Sequence, residues 1–345
     1  MRKISIVIPC YNVAPYIDRC MASIAVQTIG MDSLEIICVD DASTDDTWTH
    51  LQKWERAFPE HVILIRQEIN RRVGAARNLG LIYASADWVS FVDGDDWLEP
   101  DYFEQLYRYT VQCDCDVVFC SQNGCRDTSD ALAYFDVESR RVEEDLYVTS
   151  DTKEKRNLLI VSLIAGETAW GKIVRKRLLT DFQIYFSENL VYEDLCWNSL
   201  LHIYAAGMYG VGEKLYHYFV NPHSLVTSRN ADHHIDWITV QVMKRAEYRK
   251  RGILKEYRQE AEYDLLRDAI RFAKNLILRY DKPPFSLFQL EKELIKEFVP
   301  DYKGNPYAAE LTGVSRLLLE ALYSVADRGE FDQTVNQIKE IWGDI

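Results

Sequence analysis

The stretch VSFVDGDDWLEP, residues 89–100, decides the fold class, because a short apolar run leads directly into a cluster of acids. The apolar run has the length and composition of a buried strand. Asp93, Asp95 and Asp96 follow it within four positions, and carboxylates this close repel one another, most strongly where the dielectric is low. Such a strand end suits an α/β sheet, in which ligands bind at the carboxyl ends of the strands.

Residues 1–120 alternate strand and helix patterns, which predicts an α/β layer structure. Ser43 is the predicted N-cap of the second helix. Residues 121–157 are polar and predict a loop-rich insertion, and the pattern is helical from Asp232 onward. Strands are predicted at residues 4–10, 34–40, 61–67, 87–93 and 115–120, and a strand followed by a loop over 214–228. Helices are predicted at 17–24, 43–58, 73–84, 99–110 and 158–165.

Composition excludes several classes of protein. The chain has 345 residues, 48% of them hydrophobic, and a net charge of -14, which argues against disorder and against non-specific binding to nucleic acid or anionic membrane. No run reaches the ~18 apolar residues of a membrane helix. The N-terminus, MRKISIVIPCYN, is predicted to be the first strand rather than a signal peptide, so we expect a cytoplasmic protein.

Two local features of the sequence each allow two interpretations. Segment 242–258 is basic in an acidic chain, which favours a solvated helix face over peripheral contact with the inner face of the plasma membrane. The spacing of four cysteines matches no common zinc pattern and favours reduced strand and loop thiols over a zinc site. These cysteines are Cys113, Cys115, Cys120 and Cys125.

The acidic strand ends are candidate ligand sites. Oxygen ligands suit Mg²⁺ and Mn²⁺, so residues 93–96 predict a metal site, with a helix N-cap cluster as the alternative. Asp40 and Asp41 end the second strand, where an acid can bind a base N–H or a ribose hydroxyl, or else cap the next helix. No G-x-G-x-x-G follows the first strand and no P-loop motif occurs, which weighs against a dehydrogenase and a P-loop kinase.

Four motifs in order resemble those of the family 2 glycosyltransferases. The resemblance is dense over residues 4–110 and thinner to about residue 228. It implies a GT-A-type fold, a Rossmann-like mixed sheet flanked by helices, in residues 1–230, followed by a mostly helical region, 231–345. The donor half is then 1–120 and the acceptor half 121–230. The motifs are IPCYNVAPYIDRCMASIAVQT (8–28), VDDASTDDT (39–47), VGAARNLGL (73–81) and FVDGDDWLEPDYFEQL (91–106).

The resemblance also implies a donor site. Asp41 resembles the acid that holds the base, and Arg77 the basic residue near the nucleotide, with Arg71 and Arg72 as further candidates. Asp95 resembles the ligand of Mn²⁺ or Mg²⁺, assisted by Asp93, which faces the sugar or ribose. At position 42 Ala replaces the commoner Gly, with little consequence expected unless φ is positive. The implied nucleotide and donor contacts are Pro9, Tyr11, Asn12, Asp40, Asp41, Arg77, Asp93 and Asp95.

The catalytic base is expected downstream, in SENLVYEDLCWN (187–198). Glu193 and Asp194 resemble the family's Glu-Asp pair, whose Asp deprotonates the acceptor hydroxyl in a single inverting displacement. Glu193 is then an acceptor-binding or orienting partner. Further candidate acceptor contacts are Trp170, Lys172 and Asp96, with a core Trp and a surface Lys as alternatives. His217 and His223 are predicted to be solvated loop residues.

The expected function is transfer of a hexose from a nucleotide sugar, with UDP favoured, to a hydroxyl of a glycan or lipid-linked acceptor. The expected pathway is surface, capsular or exopolysaccharide synthesis, and a homo-oligomer stays open. One alternative is a non-catalytic nucleotide-sugar-binding module. Another is a nucleotidyltransferase, which usually has a Gly-rich basic loop near the first strand, whereas PCYNVAP (9–15) has neither Gly nor Lys. Segment 315–325 is predicted to pack on the catalytic domain or on a second copy.

Overall fold

The structure, a computed structural model, describes residues 2–128, 131–135, 144–219 and 232–343. The chain divides into two compact units, Met1–Thr227 and Ser228–Ile345. The first is an α/β unit, and the described part of the second is built of helices. The mixed sheet and the helical C-terminal region confirm the predicted fold class.

One mixed sheet organises the first unit. Its strands lie in the order β3-β2-β1-β4-β9-β6-β10-β5, with β7 beside β6 and β8 beside β10. The first four strands in this order are parallel, and β9 is antiparallel to both of its neighbours. Its strands in the described chain are β1 Ile4–Cys10, β2 Leu34–Asp40, β3 Val62–Arg66, β4 Trp88–Phe91, β5 Trp97–Leu98, β6 Val117–Thr128, β7 Ala131–Phe135, β8 Leu146–Thr149, β9 Lys172–Arg175 and β10 Gly207–Phe219.

Helices cover the central strands, which explains why every residue of β1 and β2 is buried. The second helix begins at Thr47, after Asp46, and not at Ser43 as predicted, because Ser43 Oγ accepts a hydrogen bond from Asn12 N instead. The helices of this unit are α1 Ile17–Ala25, α2 Thr47–Ala57, α3 Arg72–Tyr83, α4 Tyr102–Gln112, α5 Lys153–Ser162, α6 Lys176–Asp181 and α7 Asp194–Tyr204.

The prediction of a loop-rich insertion over residues 121–157 was wrong. β6 continues to Thr128, β7 and β8 follow, and α5 begins at Lys153. The long strand β10 pairs with β6 on one side and with β8 on the other. That pairing satisfies backbone groups whatever the side-chain composition, so polar residues can form strands here.

The helical unit is arranged around a long central helix, α10. Segment 315–325, predicted to cover the catalytic domain or a second copy, lies mostly in α13, whose buried leucines pack within the helical unit. No helix among the described residues has both the length and the apolar character needed to cross a membrane. The helices are α8 Asp232–Lys250, α9 Ile253–Glu256, α10 Arg258–Arg279, α11 Phe285–Phe298, α12 Pro306–Ala309, α13 Gly313–Ser324 and α14 Arg328–Gly343.

The basic segment 242–258 is only in part the solvated face that was predicted. Lys244 is fully buried and forms ion pairs with Asp264 and Asp268 of α10, the second at 2.7 Å. Tyr248 Oη donates to Asp264 at 2.6 Å. A charge that is paired and hydrogen-bonded can be buried, so this part of the segment stabilises the helical unit.

Glu291 of α11 is a buried carboxyl with an unusual proton affinity. It is fully buried and accepts a hydrogen bond from Gln241 Nε2 at 3.0 Å. Burial, with a smaller contribution from the charge of Asp268, raises the pKa of Glu291 to about 8. Glu291 is therefore protonated at neutral pH.

We expect Glu291→Gln to remove a pH dependence of stability. The folded-state pKa lies above the unfolded value of about 4.3, so this protonated carboxyl contributes stability at low pH that is lost as the pH rises through 8. Wild type should lose roughly 3 kcal/mol of unfolding free energy between pH 6 and 9 through this group, and the variant should not. Denaturant unfolding at several pH values measures this, with exposed Glu293→Gln on the same helix as control. Equal slopes in wild type and Glu291→Gln would contradict it.

Candidate active site

The carboxyl ends of β1, β2 and β4 lie side by side because the three strands are parallel neighbours. Asp41 N donates to Cys10 O at 2.8 Å, which joins the first two strand ends directly. Pro9 is buried within β1, whereas Tyr11 beyond it is 46% exposed. Of the first-strand candidates, Tyr11 therefore presents the accessible ring at this edge.

Asn12 connects the two loops that follow β1 and β2. Its side-chain Oδ1 accepts from Thr44 N at 2.8 Å, and its backbone has φ 53°, a left-handed conformation that Asn tolerates. Ala42 has φ 60°, the positive φ at which the replacement of the commoner Gly by Ala was expected to matter. An alanine in this conformation costs about 1 kcal/mol, so the replacement is not free of consequence.

The two acids at the end of β2 differ in their partners. Asp40 is fully buried and pairs with Arg66, whose Nε lies 3.0 Å from Oδ2. Asp41 Oδ1 accepts hydrogen bonds from Gln67 Nε2 and Arg71 N, each at 2.7 Å. Burial, with the charge of Asp40, raises the pKa of Asp41 against the lowering effect of the Arg71 N–H. Asp40 therefore binds within the protein, and Asp41 is held in a fixed orientation.

Arg77 of α3 joins the two halves of the predicted site. Its guanidinium forms an ion pair with Glu193 and another with Asp93, at 2.7 Å. Burial alone would lower the pKa of Arg77, but the carboxylates of Asp93, Glu193 and Asp194 outweigh it and raise the pKa. Arg77 was predicted to lie near the nucleotide; the structure places it between the strand-end acids and the segment of the predicted base.

Glycine at position 74 makes this arrangement sterically feasible. A Cβ there would lie 2.1 Å from Ser187 O and 3.1 Å from Glu193 Cβ. Only glycine therefore lets α3 approach the segment that contains Ser187 and Glu193 this closely. Asn78, which sequence reasoning missed, holds the same segment: it donates to Phe186 O at 3.0 Å and accepts from Phe186 N at 2.9 Å. Asn78 directly follows Arg77 in the segment AARNLG, residues 75–80, which sequence reasoning had singled out only for its arginine.

Glu193 and Asp194 have different environments although they are adjacent. Glu193 is 5% exposed, and burial raises its pKa against the opposing effect of Arg77. Asp194 is half-buried and is the first residue of α7. The partial positive charge of a helix N-terminus favours a carboxylate there. Glu193 is thus buried inside an ion pair, while Asp194 is only half-buried.

The three acids after β4 also separate into distinct roles. Asp96 is fully buried and accepts from Tyr216 Oη at 2.5 Å and from Phe219 N at 2.8 Å. Both of its carboxylate oxygens therefore attach the loop to β10, and the side chain predicted to contact the acceptor is buried instead. Asp95 is half-buried, and its carbonyl oxygen accepts from Arg19 at 2.9 Å.

The acidic loop fits a divalent cation only together with a phosphate-bearing ligand. Among the described residues, no cluster of three or more His, Cys, Asp or Glu side chains is placed to hold a metal by itself. Asp95 and Asp93 could supply two carboxylates, and Mg²⁺ is often held by one or two carboxylates plus substrate phosphates.

Of the four cysteines considered for a zinc site, Cys115 and Cys120 are buried free thiols, and the side chain of Cys125 lies outside the described set.

The candidate acceptor residues are buried. Trp170 is 7% exposed and stacks on Tyr216 and Tyr218 with centroid distances of 4.6 and 5.3 Å, so the core alternative holds for it. Lys172 is 1% exposed, so the surface alternative was wrong. Tyr218, which sequence reasoning missed, is half-buried, and beyond burial the acids Asp96, Asp95 and Asp93 raise its pKa, which places its ring near the acidic loop.

His217 is not the solvated loop residue that was predicted. It lies in β10, is 4% exposed and stacks on Trp97 at 5.1 Å. Its Nε2 is 2.6 Å from Glu99 Oε1. Burial follows from the strand pairing of His217 with Trp97, which the local sequence does not reveal. His223 lies outside the described residues.

Comparison with known proteins identifies the family of this chain. The family model for glycosyl transferase family 2 matches residues 5–179. Glycosyltransferase GlyA of Streptococcus pneumoniae serotype 4 is 30% identical over 233 residues, which are 65% of this chain and 31% of that protein. The putative glycosyltransferase EpsH of Bacillus subtilis is 29% identical over 268 residues, 75% of this chain and 73% of that protein.

Among solved structures, S. aureus TarS 1-349 in complex with UDP-GlcNAc has a TM-score of 0.57 at 20% identity, covering 98% of this chain and 83% of that one. TarS of S. aureus strain Mu50, a poly(ribitol-phosphate) beta-N-acetylglucosaminyltransferase, is also 27% identical over 68% of this chain and 37% of its own length. The structural likeness concerns the fold. The family match covers half of the chain, including strands β1 to β9, the acidic loop and α3, and on that basis the chain belongs to glycosyl transferase family 2.

Proposed function

We propose that the chain transfers a hexose from a UDP-sugar to a hydroxyl group of a glycan or lipid-linked acceptor, with inversion at the anomeric carbon. The observation that carries the proposal is the Arg77 bridge. Asp93, at the end of β4, and Glu193, at the start of α7, share one guanidinium. The strand edge that suits a nucleotide and the candidate base Asp194 are thereby part of one site.

Each acidic residue of the second pair has a defined task in this mechanism. Asp194 accepts the proton of the acceptor hydroxyl, a task that requires an accessible carboxylate. Glu193 is held by Arg77 and orients the first turn of α7. Because one base activates one nucleophile in a single displacement, the acceptor oxygen attacks from the face opposite the departing nucleotide, and the configuration inverts.

The donor side is assigned to the strand edge. Asp41, oriented by Gln67 and Arg71 N, binds the base, and Tyr11 provides an exposed ring beside it. Asp95, with Asp93, would hold Mn²⁺ or Mg²⁺, which offsets negative charge on the leaving diphosphate. The UDP-GlcNAc bound in the TarS structure supports a UDP-sugar as donor.

The acceptor class is proposed from chemistry and from relatives. A carboxylate base fits a hydroxyl nucleophile. TarS is named for poly(ribitol-phosphate), which supports a hydroxyl-bearing polymer of the cell surface as acceptor and surface polysaccharide synthesis as the pathway.

We expect Asp95→Ala to lower metal-dependent donor affinity by about tenfold or more, which is about 1.4 kcal/mol. The reason is the loss of a carboxylate that the cation and the diphosphate would share. Calorimetric titration of UDP and a panel of UDP-sugars with Mn²⁺, and again with EDTA, measures the change. The matched control is Asp87→Ala, an exposed acid just before β4, at the opposite end of that strand.

The outcomes separate the competing functions. Tight binding that ignores both metal and Asp95 would remove the metal role and leave the acidic loop as a structural turn. Donor binding without transfer to any acceptor would favour a non-catalytic binding module. Release of diphosphate from a nucleoside triphosphate would favour a nucleotidyltransferase.

A further inference from the structure

Lys172 is a buried cation that no step of the proposed mechanism uses. It is the first residue of β9, and its side chain is 1% exposed. Strand β9 lies between β4 and β6, so the lysine side chain starts from the middle of the sheet. Burial of an ammonium group opposes folding unless nearby groups compensate, so its presence here calls for a functional reason.

A hydrogen-bonded chain leads from Lys172 to the first turn of α7. Lys172 Nζ donates to Asn198 Oδ1 at 3.0 Å. Asn198 is fully buried, and its Nδ2 donates to Asp194 O at 3.0 Å and to Glu167 O at 2.6 Å. Asn198 is four residues after Asp194, so its side chain lies over the helical turn that carries the candidate base. Glu193, at the N-cap position of α7, makes no side-chain capping hydrogen bond, so Asn198 holds this turn from within the helix while the Arg77–Glu193 ion pair holds it from α3.

Several charged or titratable groups act on Lys172. Asp194 of α7, Glu167 of the preceding loop and Cys120 of β6 raise its pKa, and Asp194 has the largest effect of the three. The Trp197 ring is 5.9 Å from Nζ. Burial outweighs the three groups and lowers the pKa of Lys172 to about 7. The lysine therefore gains and loses its proton in the physiological range, beside the candidate base.

We propose that Lys172 is a positioning residue for sugar transfer: through Asn198 it holds the first turn of α7, and its positive charge stabilises Asp194 as the carboxylate. A nearby positive charge favours the ionised form of an acid, and a general base must be ionised to act. The inference rests on the proposed function, because Asp194 has this role only in that mechanism.

The first test compares Lys172→Met, Lys172→Arg and Asn198→Ala with exposed Lys53→Met in α2 as control. The readout is UDP release from whichever of UDP-glucose, UDP-galactose and UDP-N-acetylglucosamine wild type consumes fastest. We expect Lys172→Met and Asn198→Ala to lower kcat by about 100-fold, with donor affinity within twofold of wild type. Because an uncharged side chain removes the burial penalty, Lys172→Met should not lower the melting temperature.

The pH profile separates positioning from a purely structural role. Wild-type kcat should fall as the pH rises above about 7, because Lys172 loses its charge there. Lys172→Arg stays charged, so it should restore part of the activity lost in Lys172→Met and should lack this alkaline fall. The proposal would be overturned if Lys172→Met kept the kcat of wild type. It would also be overturned if kcat, donor affinity and melting temperature all fell together in this variant. Failure of both Lys172→Met and Asn198→Ala to fold would assign the pair to stability and overturn it as well.

A second readout does not depend on turnover. In protein labelled with ¹³C-lysine, a lysine that titrates near pH 7 is resolved by NMR from surface lysines, which titrate near 10.4. We expect Asp194→Asn to lower the midpoint of this lysine, and Lys172→Met to remove its signal. A wild type that binds and consumes no donor would count against the proposed function alone. An unchanged midpoint in Asp194→Asn would count against the Lys172–Asp194 coupling alone.

Discussion

Asp194→Asn is expected to lower the rate of sugar transfer by about 10³-fold, the contribution of a general base in many enzymes. Asparagine has the shape of aspartate but cannot take a proton from the acceptor hydroxyl. The half-buried position at the start of α7 leaves room for the amide, so the fold and the donor affinity should remain those of wild type. Steady-state release of UDP with an active acceptor measures the rate, and calorimetry measures donor binding.

The matched control is Asp181→Asn, an exposed residue at the end of α6 in the same half of the unit. It should leave kcat unchanged. A kcat of Asp194→Asn within tenfold of wild type would show that another group takes the proton. Loss of donor binding in Asp194→Asn, in parallel with the rate, would instead show that this residue shapes the donor site.

Arg77→Met is expected to destabilise the first unit by about 3 kcal/mol, because breaking a buried ion pair leaves uncompensated charge. The side chain of Glu193 is 7% exposed and that of Asp93 is 26% exposed, so both lose their cation where water replaces it poorly. The same variant should reduce transfer strongly, since these two acids then repel each other across the site. Denaturant unfolding gives the free energy, and UDP release gives the rate.

A double-mutant cycle tests the origin of this loss. Glu193→Gln introduced into Arg77→Met should recover 1 kcal/mol or more, because it removes one of the unpaired charges. The control is Arg71→Met, which breaks the exposed Arg71–Glu188 pair and should cost about 1 kcal/mol at most. Additive effects of Arg77→Met and Glu193→Gln would mean that the ion pair does not couple α3 to α7.

Local pattern was a good guide to the elements of the first unit. The runs at 4–10 and 34–40 became β1 and β2 with the predicted bounds, because short apolar runs can be buried on both faces of a parallel sheet. The pattern failed where pairing overrode composition. Polar residues after 120 continue β6, because β10 is there to pair with them.

Pairing across long separations accounts for the site residues whose environment was predicted incorrectly. His217 was predicted to be exposed, and a surface position was one alternative for Lys172, yet both lie in strands of the sheet and are buried. Asp96 was predicted to contact the acceptor, and its burial arises from contacts with Tyr216 and Phe219, more than 100 positions away.

The sequence by itself determined the family, the α/β class and the edge of the sheet at which the acids gather, because the order of motifs and the ends of strands are local properties. Only the tertiary structure decided which acid meets which cation. Arg77 and Glu193 are 116 positions apart, and Lys172 and Asn198 are 26 apart. Such pairs depend on strand order, on a glycine that lets α3 approach, and on burial, and a one-dimensional pattern contains none of these.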